Sequence, residues 1–132
     1  MEKRLSFTVP GNPLPKQSGQ ITTVIKGNQR IRMMYTKQET RDWEKKVSDY
    51  AFEACGGKVT FKPPAVVSVT VTFYRGTKHR VDLLNLAKPV VDAMKGLIFE
   101  DDAAGTYIVE ERYIWGGYDT ENPRVEITVE ER

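Results

Sequence analysis

The stretch AVVSVTVTFY, residues 65–74, alternates Val67, Val69, Val71 and Phe73 with Ser68, Thr70 and Thr72. A period of two puts the apolar side chains on one face of a pleated strand and the hydroxyls on the other, the pattern of a strand covered on one side only. The periodicity then changes in HRVDLLNLAKPVVDAMKGLIFEDD, residues 79–102. At about 100° per residue, Leu83, Leu86, Ala87, Val90, Met94 and Leu97 form one apolar stripe, with Asn85, Lys88 and Asp92 together on the opposite side. Asp82 precedes this helix as an N-cap, its carboxylate placed to accept from the first free backbone N–H groups. Pro89 lies well inside the pattern, where it removes one helix bond and offers a place to bend.

Working outward, residues 5–9 alternate as a strand and stop at Pro10-Gly11-Asn12-Pro13, a cluster of turn formers opening a Pro-rich loop that carries Lys16. Residues 21–25 and 30–35 flank Lys26-Gly27-Asn28-Gln29 as a hairpin, and Lys26, Arg30 and Arg32 make it an arm suited to phosphate contacts. Thr36 and Glu39 have capping-box spacing for a helix of about twenty residues that ends at Gly56-Gly57. Trp43, Val47, Tyr50, Ala51 and Ala54 are expected to face the core. Two further strands are expected at 107–115 and 124–129. The order β, ββ, α, β, α, β, β predicts an α+β fold, a mixed sheet with two main helices packed on one face, in a single domain over residues 1–132.

A chain of 132 residues buries a core without staples, and its single cysteine, Cys55, excludes an internal disulfide and fits a reducing cytosol. The opening MEKRLSFTVPG lacks the apolar core of a signal peptide, and no apolar run reaches the roughly 18 residues of a membrane span. A cytoplasmic, membrane-free protein is expected. The net charge is only +2, which announces no polyanion. Its distribution says more: bases outnumber acids from Glu2 to Lys46, and acids dominate from Asp92 onward. That asymmetry suits a polyanion-binding face beside a carboxylate cluster, although ordinary solvated charge gives the same count.

Glu100-Asp101-Asp102 repel one another unless they are solvated or a divalent cation neutralises them. Magnesium takes hard oxygen ligands and typically only one or two protein carboxylates. Asp82 and Asp101 or Asp102 converge only if the chain folds back.

The pattern Asp82-x-x-Asn85-Leu86-x-Lys88-x-x-x-Asp92-Ala93, followed by Asp101-Asp102, resembles the RusA family of Holliday junction resolvases. The usual run there is Asp-x-Asp-Asn-Leu-x-Lys, then Asp-Ala, then a turn and Asp-Asp. The early strand with its Pro-rich loop and the helix before the central strand are similar as well. The resemblance implies an endodeoxyribonuclease that resolves four-way or branched DNA by paired symmetric nicks in recombination and repair, working as a homodimer, often phage-borne. It implies that Asp82, Asp101 and Asp102 bind Mg2+ (or Mn2+), with Asp82, Lys88 and Asp102 catalytic and Asn85 and Asp92 supporting the site. The implied chemistry is in-line attack of a metal-activated water on a phosphodiester.

One position departs from the family. Leu84 stands where the pattern has its second Asp, and leucine holds no cation. Either Glu100 or Asp101 replaces the ligand, or cutting is slow, or the protein binds junctions without cutting.

Lys78, His79 and Arg80 form a basic run beside the motif, suited to DNA phosphates through Lys78 and Arg80, while His79 by itself reads first as a plain surface histidine. Trp43 and Trp115 are expected in the core, since stacking on bases requires exposed rings.

Overall fold

The computed structural model describes residues 3–15, 20–35, 38–62, 64–99 and 108–132, with backbone alone at 20–24, 26 and 31–35. Thr36 and the proposed capping box lie outside these residues. The elements are β1 (Arg4–Pro10), β2 (Gln20–Lys26), β3 (Gln29–Tyr35), α1 (Gln38–Ala54), β4 (Val67–Arg75), α2 (Leu83–Met94), β5 (Ile108–Tyr118) and β6 (Arg124–Glu131). Their order is the one the periodicities predict.

Four strands form a mixed sheet in the order β1-β6-β4-β5, and β2 pairs with β3 in a separate hairpin. The hairpin closes at Lys26 opposite Gln29, and Gly27 takes the positive φ (59°) that two-residue turns favour. Among the described strands, only β4 and β5 pair in parallel. A parallel pair needs a crossover, and α2 supplies it. The helix therefore starts beside the C-terminal end of β4 and returns toward the beginning of β5.

The alternation in β4 does what it predicts. Val69, Val71 and Phe73 are fully buried, as are Val125, Ile127 and Val129 of β6, and they meet Trp43, Val47 and Ala51 of α1 and Leu86, Val90 and Met94 of α2. Thr70 and Thr72 stay half-exposed on the uncovered face. The result is the expected α+β arrangement.

Three expectations about the core need correction. Tyr50 is 36% exposed and Ala54 is half-buried. The helix α2 packs on the flank of α1 marked by Ser48, whose hydroxyl donates to the Ala93 carbonyl, and by Cys55, whose thiol donates to the Leu97 carbonyl. The buried stripe is thereby drawn away from Tyr50. Leu97 belongs to the turn after α2, not to the helix, because the chain leaves helical geometry at Lys95 (ψ 130°) and Gly96 takes φ 80°. Trp115 is 39% exposed, because β5 is an edge strand and α2 covers only part of it.

Gly116 sits at a shift in the β4–β5 register, between Trp115 opposite Phe73 and Gly117 opposite Tyr74. A Cβ at this position would lie 2.6 Å from the Tyr74 ring, which is held in turn by the Arg124 guanidinium 3.9 Å from its centroid. Gly116→Ala is expected to destabilise the fold by about 1–3 kcal/mol through overpacking, read as a lower urea midpoint with an unchanged slope.

Candidate active site and DNA interface

Two loops meet where β4 ends. Arg75 is 5% exposed; its Nε donates to the Pro13 carbonyl and its Nη1 to the His79 carbonyl, both at 3.1 Å. Burial draws its pKa below the usual arginine value, with the Tyr118 phenol opposing, but a guanidinium so solvated by carbonyls remains a cation. Asn12 closes the same junction. Its Nδ2 donates to Thr77 Oγ1 at 2.6 Å, and its Oδ1 accepts from the Gly76 N–H at 2.8 Å. The Pro-rich loop leading to Lys16 and the loop carrying Lys78, His79 and Arg80 are thus held as one unit. These three side chains are all exposed.

That loop ends at Asp82, which is the N-cap of α2 with extended backbone (φ −81°, ψ 130°). Its Oδ1 accepts from the Leu84 N–H at 3.0 Å, so one carboxylate oxygen is fixed by the helix end. The side chain is exposed. Two residues on, Leu84 is 62% exposed in the first turn of the helix.

Leu84, Lys88 and Asp92 share a face of α2 that looks toward β5. With Ala87, Val91, Glu111 and Tyr113 they line a groove of ≈ 340 Å³. Glu111 and Tyr113 escaped the reading of the motif, because they lie in a strand remote from it in sequence. Their signal was the period-two spacing of Glu111, Tyr113 and Trp115. Asn85 is half-buried and does not line the groove. The helix continues through buried Pro89.

Asp82 and Asp92 are ten residues apart on α2, so about 15 Å of helix separates them and no single ion contacts both. Lys88 lies between. Arg30 is exposed on the β2–β3 hairpin. Lys16, Glu100, Asp101 and Asp102 lie outside the described residues, as does the Arg32 side chain. Among the described residues no three His, Cys, Asp or Glu groups gather as a metal site. The donors in question nonetheless suit a hard divalent cation: Asp82 offers an exposed carboxylate, and the thiol of Cys55 is engaged with carbonyls elsewhere.

The family model described as Endodeoxyribonuclease RusA matches residues 10–130, almost the entire chain. The chain belongs to the RusA family. Its fold and its motif order agree with that membership, and the match spans both clamped loops, α2 and all strands from the end of β1 to β6. No match was found among curated proteins. RusA-family proteins are endodeoxyribonucleases that hydrolyse DNA phosphodiester bonds in resolving junctions during recombination, and branched DNA is their substrate. The family's resolvases are generally dependent on a divalent metal. Among the described residues, no helix is long and apolar enough to cross a membrane.

Proposed function

We propose that this RusA-family chain is a magnesium-dependent resolvase that cuts four-way junctions by paired, symmetric nicks as a homodimer in the cytoplasm, in recombination and repair. One observation carries the reading: the exposed Asp82 carboxylate caps α2 immediately after an exposed basic run, on a loop clamped by Arg75 and Asn12. Negative and positive groups at this spacing serve a cation and the phosphate it contacts.

Asp82, with Asp101 or Asp102, would hold Mg2+ (or Mn2+). Bound there, the cation supplies a water of lowered pKa and steadies charge on the phosphoryl oxygens. The protein's own groups do the rest. The N-cap hydrogen bond fixes the Asp82 carboxylate before substrate arrives, which avoids reorganisation during reaction. Lys88, a full turn and a half further along α2, contributes a compact positive charge toward the scissile phosphate. Lys78, His79 and Arg80 grip flanking phosphates, and Lys16 is assigned the same role. Arg30, exposed on the hairpin, adds a further phosphate contact, and Arg32 is assigned the same role. Asp102 completes the catalytic set, and Asn85 and Asp92 order the helix face around Lys88.

Phosphate grip has a measurable signature. Each cation that neutralises one phosphate adds about 0.9 to the slope of log affinity against log salt on duplex arms. Lys78→Gln and Arg80→Gln are each expected to lower that slope by about 1 and to weaken junction and linear duplex alike, measured by titration at several salt concentrations.

The alternative reading, a junction binder that cuts weakly or not at all, is favoured by Leu84, which puts a hydrocarbon where the family has a carboxylate. The functional test is cleavage of a labelled four-way junction beside a linear duplex at matched salt, with magnesium or with chelator. Metal-dependent nicks confined to the junction support the proposal. Tight junction binding without nicks supports the alternative, and indifference to branching defeats both.

A further inference from the structure

Beyond the motif, β5 carries an exposed aromatic pair. Trp115 is 39% exposed and Tyr118 is 49% exposed, and their rings touch edge to face, with centroids 5.1 Å apart and planes at 79°. Two adjacent, partly exposed aromatic rings make a contiguous apolar patch, the kind of feature that marks an interaction surface. The register shift at Gly116 lets Tyr118 come onto the same side as Trp115, and the Tyr74 ring fills the space a side chain at Gly116 would need.

Its place in the fold narrows the choice of partner. Trp115 lies opposite Phe73 and Tyr118 opposite Arg75, at the end of β4 from which the basic loop departs. Arg75 itself holds the His79 carbonyl. On β5, Trp115 continues the spacing of Glu111 and Tyr113, which line the groove against α2. Along β5 the rings therefore follow the groove residues toward the end of β4 where the loop of Lys78, His79 and Arg80 begins. The exposed face of Trp115, at the sheet end from which those cations depart, matches a nucleobase whose phosphates they hold.

A continuous duplex keeps its base faces inside the stack, whereas a branch point interrupts that stack. We infer that Trp115, braced edge to face by Tyr118, is a stacking platform for a nucleobase exposed at the branch point, so that the protein distinguishes branched from linear DNA partly through this ring. The inference rests on the junction-directed reading above and specifies which feature of the junction is felt.

Trp43 is buried, so Trp115 is the tryptophan that reports on bound DNA. The full-length protein is titrated in chelator with a four-way junction and with linear duplex of the same arm sequence, and tryptophan emission and affinity are recorded. The junction carries 2-aminopurine at the branch in a second series. The junction is expected to quench tryptophan emission and to alter the 2-aminopurine signal, while the duplex leaves emission unchanged. Trp115→Ala is expected to weaken junction binding by about ten- to a hundredfold and to leave duplex binding unchanged, with Trp115→Phe retaining most of the affinity. Equal losses on both DNAs, no loss on either, or a dimer that dissociates in Trp115→Ala would each overturn the platform, the last by assigning these rings to a second copy of the chain. Should Trp115→Ala fail to fold, absence of quenching in the parent protein by the junction is decisive against it. If the parent cuts junctions but shows neither quenching nor a Trp115 effect, the platform alone fails. If the parent neither binds nor cuts them, the functional proposal falls as well.

Discussion

Replacing Asp82 by asparagine is expected to lower junction cleavage by about a thousandfold while leaving fold and junction binding intact. The substitution separates two roles of one side chain. Asparagine caps helices about as well as aspartate, so the hydrogen bond to the Leu84 N–H survives and α2 keeps its start. The negative charge is lost, and with it the hard anionic oxygen that a divalent cation needs. Initial cleavage rates over a range of magnesium concentrations check this, beside a thermal melt and a gel-shift titration of the same preparation. Cleavage at the parent's rate would remove Asp82 from the metal site. A loss of rate accompanied by a loss of melting temperature would reduce it to a helix cap.

Restoring the family's carboxylate in Leu84→Asp is expected to raise cleavage by about ten- to a hundredfold and to lower the magnesium concentration needed, since a second anionic donor strengthens a site of one or two carboxylates. The structure makes the experiment clean. The leucine is 62% exposed, so removing it forfeits little buried area, and aspartate in the first turn of a helix is favoured by the helix dipole by about 0.3–1 kcal/mol. The variant should therefore be as stable as the parent or slightly more so. An inactive parent rescued by Leu84→Asp would establish the binding-only reading for the natural sequence. An active parent unaffected by it would mean that Glu100 or Asp101 already fills the position.

These two predictions depend on features of quite different legibility. The N-cap of α2 was plain from Asp82 and the onset of helical spacing, because both signals are local. The alternation of β4 and the turn at Gly27-Asn28 were plain for the same reason. The groove was not. Glu111 and Tyr113 join Leu84, Lys88 and Asp92 only because β5 pairs parallel with β4 and α2 lies over it, a fact of sheet order that no local pattern encodes. Trp115 failed as a core residue on the same ground: period two assigns its face, but whether that face is covered depends on β5 being the edge. Tyr50 illustrates a subtler limit. Its helical angle is right for burial, and the side on which α2 docks decides otherwise. The clamp of Arg75 and Asn12 likewise joins residues more than sixty positions apart, so neither announced itself in the chain. The convergence of Asp82 with Asp101 and Asp102, implied by the resemblance, falls partly outside the described residues and rests on the family motif.

This RusA-family chain is expected to make two coordinated, metal-dependent incisions at a junction. The most direct measurement is the product formed from a supercoiled plasmid that extrudes a cruciform, incubated with the protein in magnesium and compared with Asp82→Asn. Paired symmetric nicks convert the plasmid directly to linear DNA with ends mapping to opposite strands at the cruciform base, and the asparagine variant leaves it supercoiled. Linear product that persists in chelator, or nicks scattered away from the cruciform, would contradict the account.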